Sequence, residues 1–253
     1  EGAWRTEDNT GIIPADESIY QKYMALHESI LKRYSCDFVC FNEYSDKMCM
    51  NRHIQADEFV GQFYPFIEKG AMIERDGVWN AIASKRKLNN VTIGFYQNTE
   101  SGMTRSYTKG YAFLNGRKVC IICTHFSSTL EIAALNAQEM LGVVANEDYF
   151  ILCGDFNCDV FNKSSEVLYK NIVGVFANAG YKLCNGGENG DFLTTGNTEL
   201  RTGGDIIVTS SNITIKSVLA DQQKVEVSIA VDAENGFINR IDHIPLVAYL
   251  EIY

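Results

Sequence analysis

Seven residues able to bind a cation or move a proton lie at or beside the ends of apolar runs: Glu43, His125, Asp155, Asn157, Asp205, Asp242 and His243. Glu43 follows Phe38-Val39-Cys40-Phe41-Asn42, and His125 follows Cys120-Ile121-Ile122-Cys123-Thr124. Asp155 and Asn157 come just after Tyr149-Phe150-Ile151-Leu152-Cys153, Asp205 opens Ile206-Ile207-Val208, and Asp242-His243 stand before Ile244-Pro245-Leu246-Val247. Each taken alone fits plain turn chemistry, because Asp and Asn commonly close strands. As a set they carry more, since strand ends along one sheet edge converge in space and can build a single polar pocket. Carboxylates, an amide and two imidazoles suit phosphoester cleavage. A hard divalent ion such as Mg²⁺ takes one or two carboxylates and completes its shell with water and phosphate oxygens. Imidazolium and amide donors stabilise the charge a phosphoryl group gathers in the transition state, and a further carboxylate orients the attacking water.

Positioning such a set requires strands that end at a common edge, and the hydrophobic patterning supplies them. Ile19, Tyr23, Leu26, Ile30 and Leu31 recur at helical spacing and predict a helix over 16–35, started by Asp16 or Ser18. A buried strand is expected over 37–41, and a polar helical stretch over about 51–63. Strand-like segments then crowd 71–75, 79–84, 91–96, 103–108, 110–114 and 118–124, with Asn115-Gly116 as a two-residue hairpin signal. A helix is predicted over 129–146, a strand over 149–153 and a helix over 165–179. After a Gly/Asn-rich loop at 185–191, strands are expected at 204–209, 213–219, 224–231 and 244–252. This mixed order predicts an α/β fold in which two mixed β-sheets pack face to face with helices on the outside.

The chain has 253 residues, 46% of them hydrophobic, enough to bury a large core as one domain over 1–253. Three prolines and no internal repeat or Ser/Gly-rich tract leave no linker to divide it. A formal charge of -10 lacks the long-range positive field by which non-specific nucleic-acid binders hold phosphate backbones. Most of the eight cysteines sit in or beside apolar runs, as small buried hydrophobes do. Cys120 and Cys123 form a C-x-x-C, but in a strand their side chains point to opposite faces, which argues against a zinc or redox pair. Reduced cysteines point to a cytoplasmic setting, with an extracellular one as the alternative if an upstream segment was removed. No stretch approaches the roughly 18 apolar residues of a membrane span.

Ordered along the chain are Phe41-Asn42-Glu43, Asn80-Ala81-Ile82-Ala83-Ser84, Cys123-Thr124-His125, Cys153-Gly154-Asp155-Phe156-Asn157, Gly204-Asp205-Ile206-Ile207-Val208 and Ile241-Asp242-His243. This ordered set resembles the signature blocks of the endonuclease/exonuclease/phosphatase superfamily, and it spans most of the chain. The resemblance implies the four-layer, DNase-I-like α/β sandwich and a metal-dependent hydrolase of ester bonds, with Mg²⁺ or Mn²⁺ as cofactor. It assigns Glu43 to the metal with Asp242 as a direct or water-mediated partner. Asp155 would orient and deprotonate the nucleophilic water, with Asn157 beside it. His243 would contact the scissile phosphate, its tautomer fixed by Asp205, a pairing that favours the charged imidazolium. His125 would be a second phosphate donor, and Asn80, Arg105 and Tyr107 would line the substrate.

One block departs from the pattern. Family members begin with a strand ending in an Asn some 30–45 residues before the Glu, whereas Arg5-Thr6-Glu7-Asp8-Asn9 reads as a polar loop. The expectation is that such a strand precedes Glu1 in the parent protein, with a degenerate site or an unusual N-terminus as the alternatives. The substrate is expected to be a phosphoester, of nucleic acid or of a phosphorylated small molecule or lipid headgroup. A nuclease-type phosphodiesterase is the leading reading. The alternatives are a phosphatase or phospholipase C-type enzyme on inositol phosphates or phospholipids, and a non-catalytic binding protein that keeps the fold. Convergence of the polar side chains on one pocket separates the family readings from coincidence.

Overall fold

Why the apolar runs become strands, and which way each one faces, is legible in the computed structural model, which describes residues 17–44, 56–73, 78–101, 103–194, 203–221 and 243–253. Helix α1 (Glu17–Tyr34) leads into β1 (Phe38–Tyr44), and α2 (Ala56–Gly61) precedes β2 (Phe66–Ile73) and β3 (Val78–Ser84). Strands β4 (Asn89–Phe95), β5 (Ser106–Leu114) and β6 (Arg117–His125) follow, and α3 (Leu130–Val144) carries the chain to β7 (Phe150–Asp155). A π-helical turn (Glu166–Lys170) and α4 (Gly174–Asn178) lead to β8 (Lys182–Leu183), β9 (Asp205–Thr209), β10 (Ile213–Ala220) and β11 (Leu246–Ile252).

Six strands form one sheet in the order β4-β5-β6-β7-β9-β8, in which β6 and β7 run parallel. A parallel pair needs a long crossover, and α3 provides it. Opposite lie two antiparallel pieces, β1-β3-β2 and β10-β11. Alternation along each strand sorts side chains into three cores. Cys120, Ile122, Phe150, Leu152, Ile206 and Val208 face outward under α3 and α4, against Ala133, Ala137, Met140, Val144 and Phe176. Val119, Ile121, Cys123 and Ile151 face inward and meet Ile82, Ile213 and Ile252 between the sheets. Ala81 and Ala83 turn to the far side, where they pack with Leu31 of α1 and Ala56 and Val60 of α2. The architecture is therefore the expected α/β sandwich with helices outside. Cys120 and Cys123 lie in different cores, as alternation requires, and the described cysteines are free thiols.

Several boundaries differ from the sequence reading. In place of two strands over 103–108 and 110–114 there is one, β5 over Ser106–Leu114, because Gly110 marks a close approach and not a turn. A Cβ placed there would lie 3.0 Å from the Leu88 side chain. Strand β2 starts at Phe66, before the expected 71, since Glu68 and Lys69 obscure its apolar pattern. The helix expected over 165–179 is broken. The Asn171 N–H donates to the Glu166 carbonyl at 3.0 Å, five residues back, and this widened turn lets adjacent Ile172 and Val173 both enter the core. The strand expected at 224–231 and residues 51–55 lie outside the described residues.

Two local devices hold the site-bearing end of the large sheet. Gly154 lets β7 approach β6 closely, since a Cβ there would lie 2.0 Å from the Thr124 carbonyl oxygen. The β4–β5 loop is fixed to α3. Glu139 accepts from the Gln97 N–H at 2.8 Å and the Asn98 N–H at 3.2 Å, and Asn136 donates to the Asn98 carbonyl at 2.8 Å. At the N-terminus of α3 the Thr129 side chain makes no capping bond. Glu100 takes that place from the loop, accepting from the Ser127 hydroxyl, the Ser128 hydroxyl at 3.0 Å and the Thr129 N–H at 2.9 Å. A carboxylate there complements the positive end of the helix dipole.

Burial pushes the Glu100 carboxyl up, but those donors and Arg105 outweigh it and hold the group down at about 2. Its unfolded counterpart titrates near 4.5. The Glu100 contribution is therefore fully present above about pH 4.5 and is lost as pH falls through about pH 2. Urea melts should find Glu100→Gln about 1–3 kcal/mol less stable at pH 7, with a smaller loss than wild type between pH 5 and pH 3. Gly154→Ala should lower stability by about 1–3 kcal/mol, because the backbone of Thr124 must move to admit the methyl group. Equal midpoints for the variant and wild type would show that β6 and β7 can separate freely there.

Candidate active site

Pairing register brings three of the sequence-selected side chains into one row. His125 pairs with Asp155 across β6 and β7, and Asp155 pairs with Asp205 across β7 and β9. Directly paired residues share a face. All three continue the inward-facing series of Ile121 and Cys123, of Ile151 and of Ile207. They therefore project between the sheets at the edge where β6 and β7 end and β9 begins. His243 enters just before β11, its chain direction fixed where the Ile244 N–H donates to the Thr194 carbonyl at 2.6 Å. Thr194 also binds the other partner, its hydroxyl accepting from the Asp205 N–H at 3.0 Å.

Asp155 lies at the centre. Its Oδ2 is 3.5 Å from His125 Nε2 and 3.7 Å from His243 Nε2. Its Oδ1 accepts from the Asn157 N–H at 2.8 Å. The Asp155 side chain is 8% exposed and that of His125 6%, whereas His243 keeps 31%, so the pocket opens to solvent on the His243 side. His243 Nδ1 lies 2.8 Å from Asp205 Oδ2. A carboxylate only accepts, so this contact places a proton on Nδ1 and directs Nε2 toward Asp155. Asn157 donates from its side chain to the Phe126 carbonyl at 2.9 Å, which pins the turn after β7.

Two of the sequence-selected residues are among the non-glycine residues with positive φ. Glu43 has φ of 53° and Asn157 φ of 50°. Asn tolerates the left-handed region readily, but for Glu it is an unfavourable conformation that surrounding structure must enforce. The enforcement is visible in β1, whose register with β3 shifts between Phe41 and Tyr44, so Glu43 sits on a bulge at the strand end. Asp242 lies outside the described residues, so its place beside Glu43 remains an expectation from sequence. Among the described residues, a group of at least three able to approach one ion is Asp155, Asp205 and His243, whose ligand atoms lie within 4.8 Å of one another.

The residues expected to line the substrate divide. Asn80 is buried on the inward face of β3 and donates to the Ser106 carbonyl at 2.8 Å. Arg105, directly before β5, is buried, with its guanidinium 3.7 Å from the Glu100 carboxylate. Tyr107 turns to the other side of the large sheet. Its ring lies 5.7 Å from the Tyr96 ring and directly over Gly94, where a Cβ would come within 2.1 Å of it.

A residue not singled out by the sequence joins these groups. Asn42 donates to Asn80 Oδ1 at 3.0 Å and to the Thr124 carbonyl at 2.6 Å, and its Oδ1 accepts from the Asp155 N–H at 2.9 Å. The signal available beforehand is parity. Phe38, Cys40 and Asn42 alternate with Val39 and Phe41, so once Cys40 faces inward, Asn42 does too.

No protein-family model matches the sequence, and no curated protein matches it. Solved structures do match the fold. An endonuclease/exonuclease/phosphatase from Bacteroides vulgatus superposes with a TM-score of 0.64 at 16% identity, covering 92% of each chain. D. rerio TDP2 complexed with single-strand DNA product gives 0.65 at 16% identity, over 93% of this chain and 94% of that one. A mannosyl-6-phosphatase from Bacteroides thetaiotaomicron gives 0.62 at 17% identity, over 92% of each. With identities this low the likeness is one of backbone architecture, and on that ground this chain has the endonuclease/exonuclease/phosphatase fold, as its ordered motifs led one to expect.

Proposed function

We propose that this protein is a metal-dependent phosphoester hydrolase that attacks phosphorus with a water oriented by Asp155. The observation that carries the reading is Asp155 Oδ2 flanked by the Nε2 atoms of His125 and His243, at 3.5 Å and 3.7 Å. A carboxylate between two imidazoles can accept a proton from water on one side of a phosphate while the rings donate to its oxygens. Asp205 keeps the proton on His243 Nδ1, which fixes the ring's orientation for that task. The Asn157 N–H holds the second oxygen of Asp155 and so limits rotation of the carboxylate.

The donor chemistry suits a hard divalent cation, Mg²⁺ or Mn²⁺. Oxygen ligands predominate, and Glu43 is presented on a strained bulge next in sequence to the residue that bonds the Asp155 N–H. Glu43 would hold the ion with Asp242. When bound, the ion supplies positive charge against the phosphoryl oxygens and the leaving group. Within this class a nuclease-type phosphodiesterase is the first reading, supported by the likeness to TDP2, which carries single-strand DNA product. A phosphatase acting on a phosphorylated small molecule is the second, favoured by the likeness to a mannosyl-6-phosphatase and by a net charge of -10 that does little to gather nucleic acid from solution. No described helix is long and apolar enough to cross a membrane.

Hydrolysis of bis-p-nitrophenyl phosphate and p-nitrophenyl phosphate should require Mg²⁺ or Mn²⁺, stop with EDTA, and be abolished in Asp155→Ala. The preferred ester separates diesterase from monoesterase. Turnover that survives chelation or the Asp155 substitution would sink the proposal. Asp205→Asn, which leaves His243 free to take the wrong tautomer, should lower kcat by about 10²–10⁴-fold with the fold intact. A pH–rate profile of that variant superposable on wild type would instead make Asp205 a structural group.

A further inference from the structure

Asn42 uses its whole amide in a network that spans five strands and both sheets. On β1, it donates to Asn80 of β3 and to the Thr124 carbonyl of β6, and it accepts from the Asp155 N–H of β7. Asn80 in turn donates to the Ser106 carbonyl of β5. The orientations have one consistent solution. A backbone carbonyl only accepts and a backbone N–H only donates, so the Asn42 oxygen must face Asp155 and its nitrogen must face Thr124. That nitrogen then requires the Asn80 oxygen, which leaves the Asn80 nitrogen for Ser106.

The position of this amide matters as much as its bonds. Asn42 lies where the β1–β3 register shifts, between Phe41 and Tyr44, so the ladder no longer fixes the chain there. Its side chain takes over by reaching to the other sheet. The next residue, Glu43, is held at φ of 53°, and the group on the other side of the bond is the backbone of Asp155. One side chain thus spaces the proposed cation ligand from the proposed water-orienting carboxylate. Gly154 makes the arrangement possible, because its missing Cβ leaves room for the Thr124 carbonyl that anchors Asn42.

We propose that Asn42 is a positioning residue that sets the separation of Glu43 and Asp155 by cross-tying the two sheets at the reacting end. The inference rests on the hydrolase reading for its catalytic consequence and on the hydrogen bonds alone for the tether. A misplacement of about 1 Å in such a site costs about 10²-fold in rate. Because Asn42 touches neither substrate nor cation in this scheme, the loss should fall on kcat and spare KM.

The test uses the whole chain, with Asn42→Ala and Asn42→Asp measured beside wild type for ester hydrolysis, and with hydrogen exchange at the Asp155 amide followed by NMR. Asn42→Ala should lower kcat by about 10²-fold, leave KM within about threefold, and deprotect the Asp155 amide relative to those of Ile151 and Leu152 on the same strand. Asn42→Asp keeps the acceptor and loses both donated bonds. Its kcat should be low at pH 8, where the carboxylate has no proton to donate. A purely structural role would deprotect all of β7 together. If Asn42→Ala does not fold, the Asp155 exchange and the kcat of Asn42→Asp at pH 8 decide. A folded variant with kcat within threefold of wild type, or with Asp155 exchange unchanged, overturns the proposal. If the wild type hydrolyses no ester, the hydrolase reading fails while the exchange data still decide the tether.

Discussion

Almost everything at the candidate site follows from the pairing of β6, β7 and β9, in which His125, Asp155 and Asp205 stand opposite one another. Side chains alternate strictly along a strand, so a slip of one residue in β7 would send Asp155 under α3 and bring Gly154 to the pocket. The register is protected by the two cores it separates. Phe150 and Leu152 fill the space beneath α3, and Ile151 packs between the sheets. Any slip would exchange those environments, and Gly154 would no longer lie where β6 comes too close for a Cβ. The chemistry is therefore tied to the hydrophobic core through the geometry of the pleat.

A sandwich brings a second constraint, because its two sheets must be held at a fixed spacing where a pocket interrupts the apolar core between them. Below the site, Ile82, Ile121 and Ile151 hold that spacing by packing. At the site itself no apolar contact can do so without filling the pocket. Buried amides are the physical alternative. Asn42 and Asn80 satisfy one another and three backbone groups, so they can sit inside without the penalty of unpaired polar atoms. Such a network resists displacement, because moving one member leaves a buried donor or acceptor without its partner. The left-handed backbone at Glu43 fits this picture, as strained residues persist where surrounding contacts over-determine them.

The loop between β4 and β5 is organised differently. Arg105 is carried by a loop whose path is set by Glu139, Asn136 and Glu100 against α3, so its place depends on polar contacts with a helix and not on a strand ladder. The contrast with Tyr107, two residues on, shows the effect of entering the sheet. Once the chain is paired, parity turns that ring to the helix side and stacks it over Gly94. His243 is the most exposed member of the cluster, so the solvent-facing half of the pocket belongs to the segment before β11.

Much of this was legible in the sequence. The endpoints of the apolar runs marked His125, Asp155 and Asp205, because a buried strand must be apolar and whatever chemistry it carries appears where it leaves the core. The ordered blocks also pointed to the α/β sandwich. Tertiary structure alone decided strand direction, register and face, since these depend on partners hundreds of atoms away in the chain. It decided that 103–114 contains one strand, because Gly110 meets Leu88, and that 165–179 is not one helix, because Ile172 and Val173 both seek the core. It also turned Tyr107 to the helix side of the large sheet and set Asn42 against the Asp155 backbone, where three strands supply partners for one amide. Local sequence sets which residues can be buried and where a strand can stop. Hydrogen bonds between distant strands set which of the remaining polar groups meet.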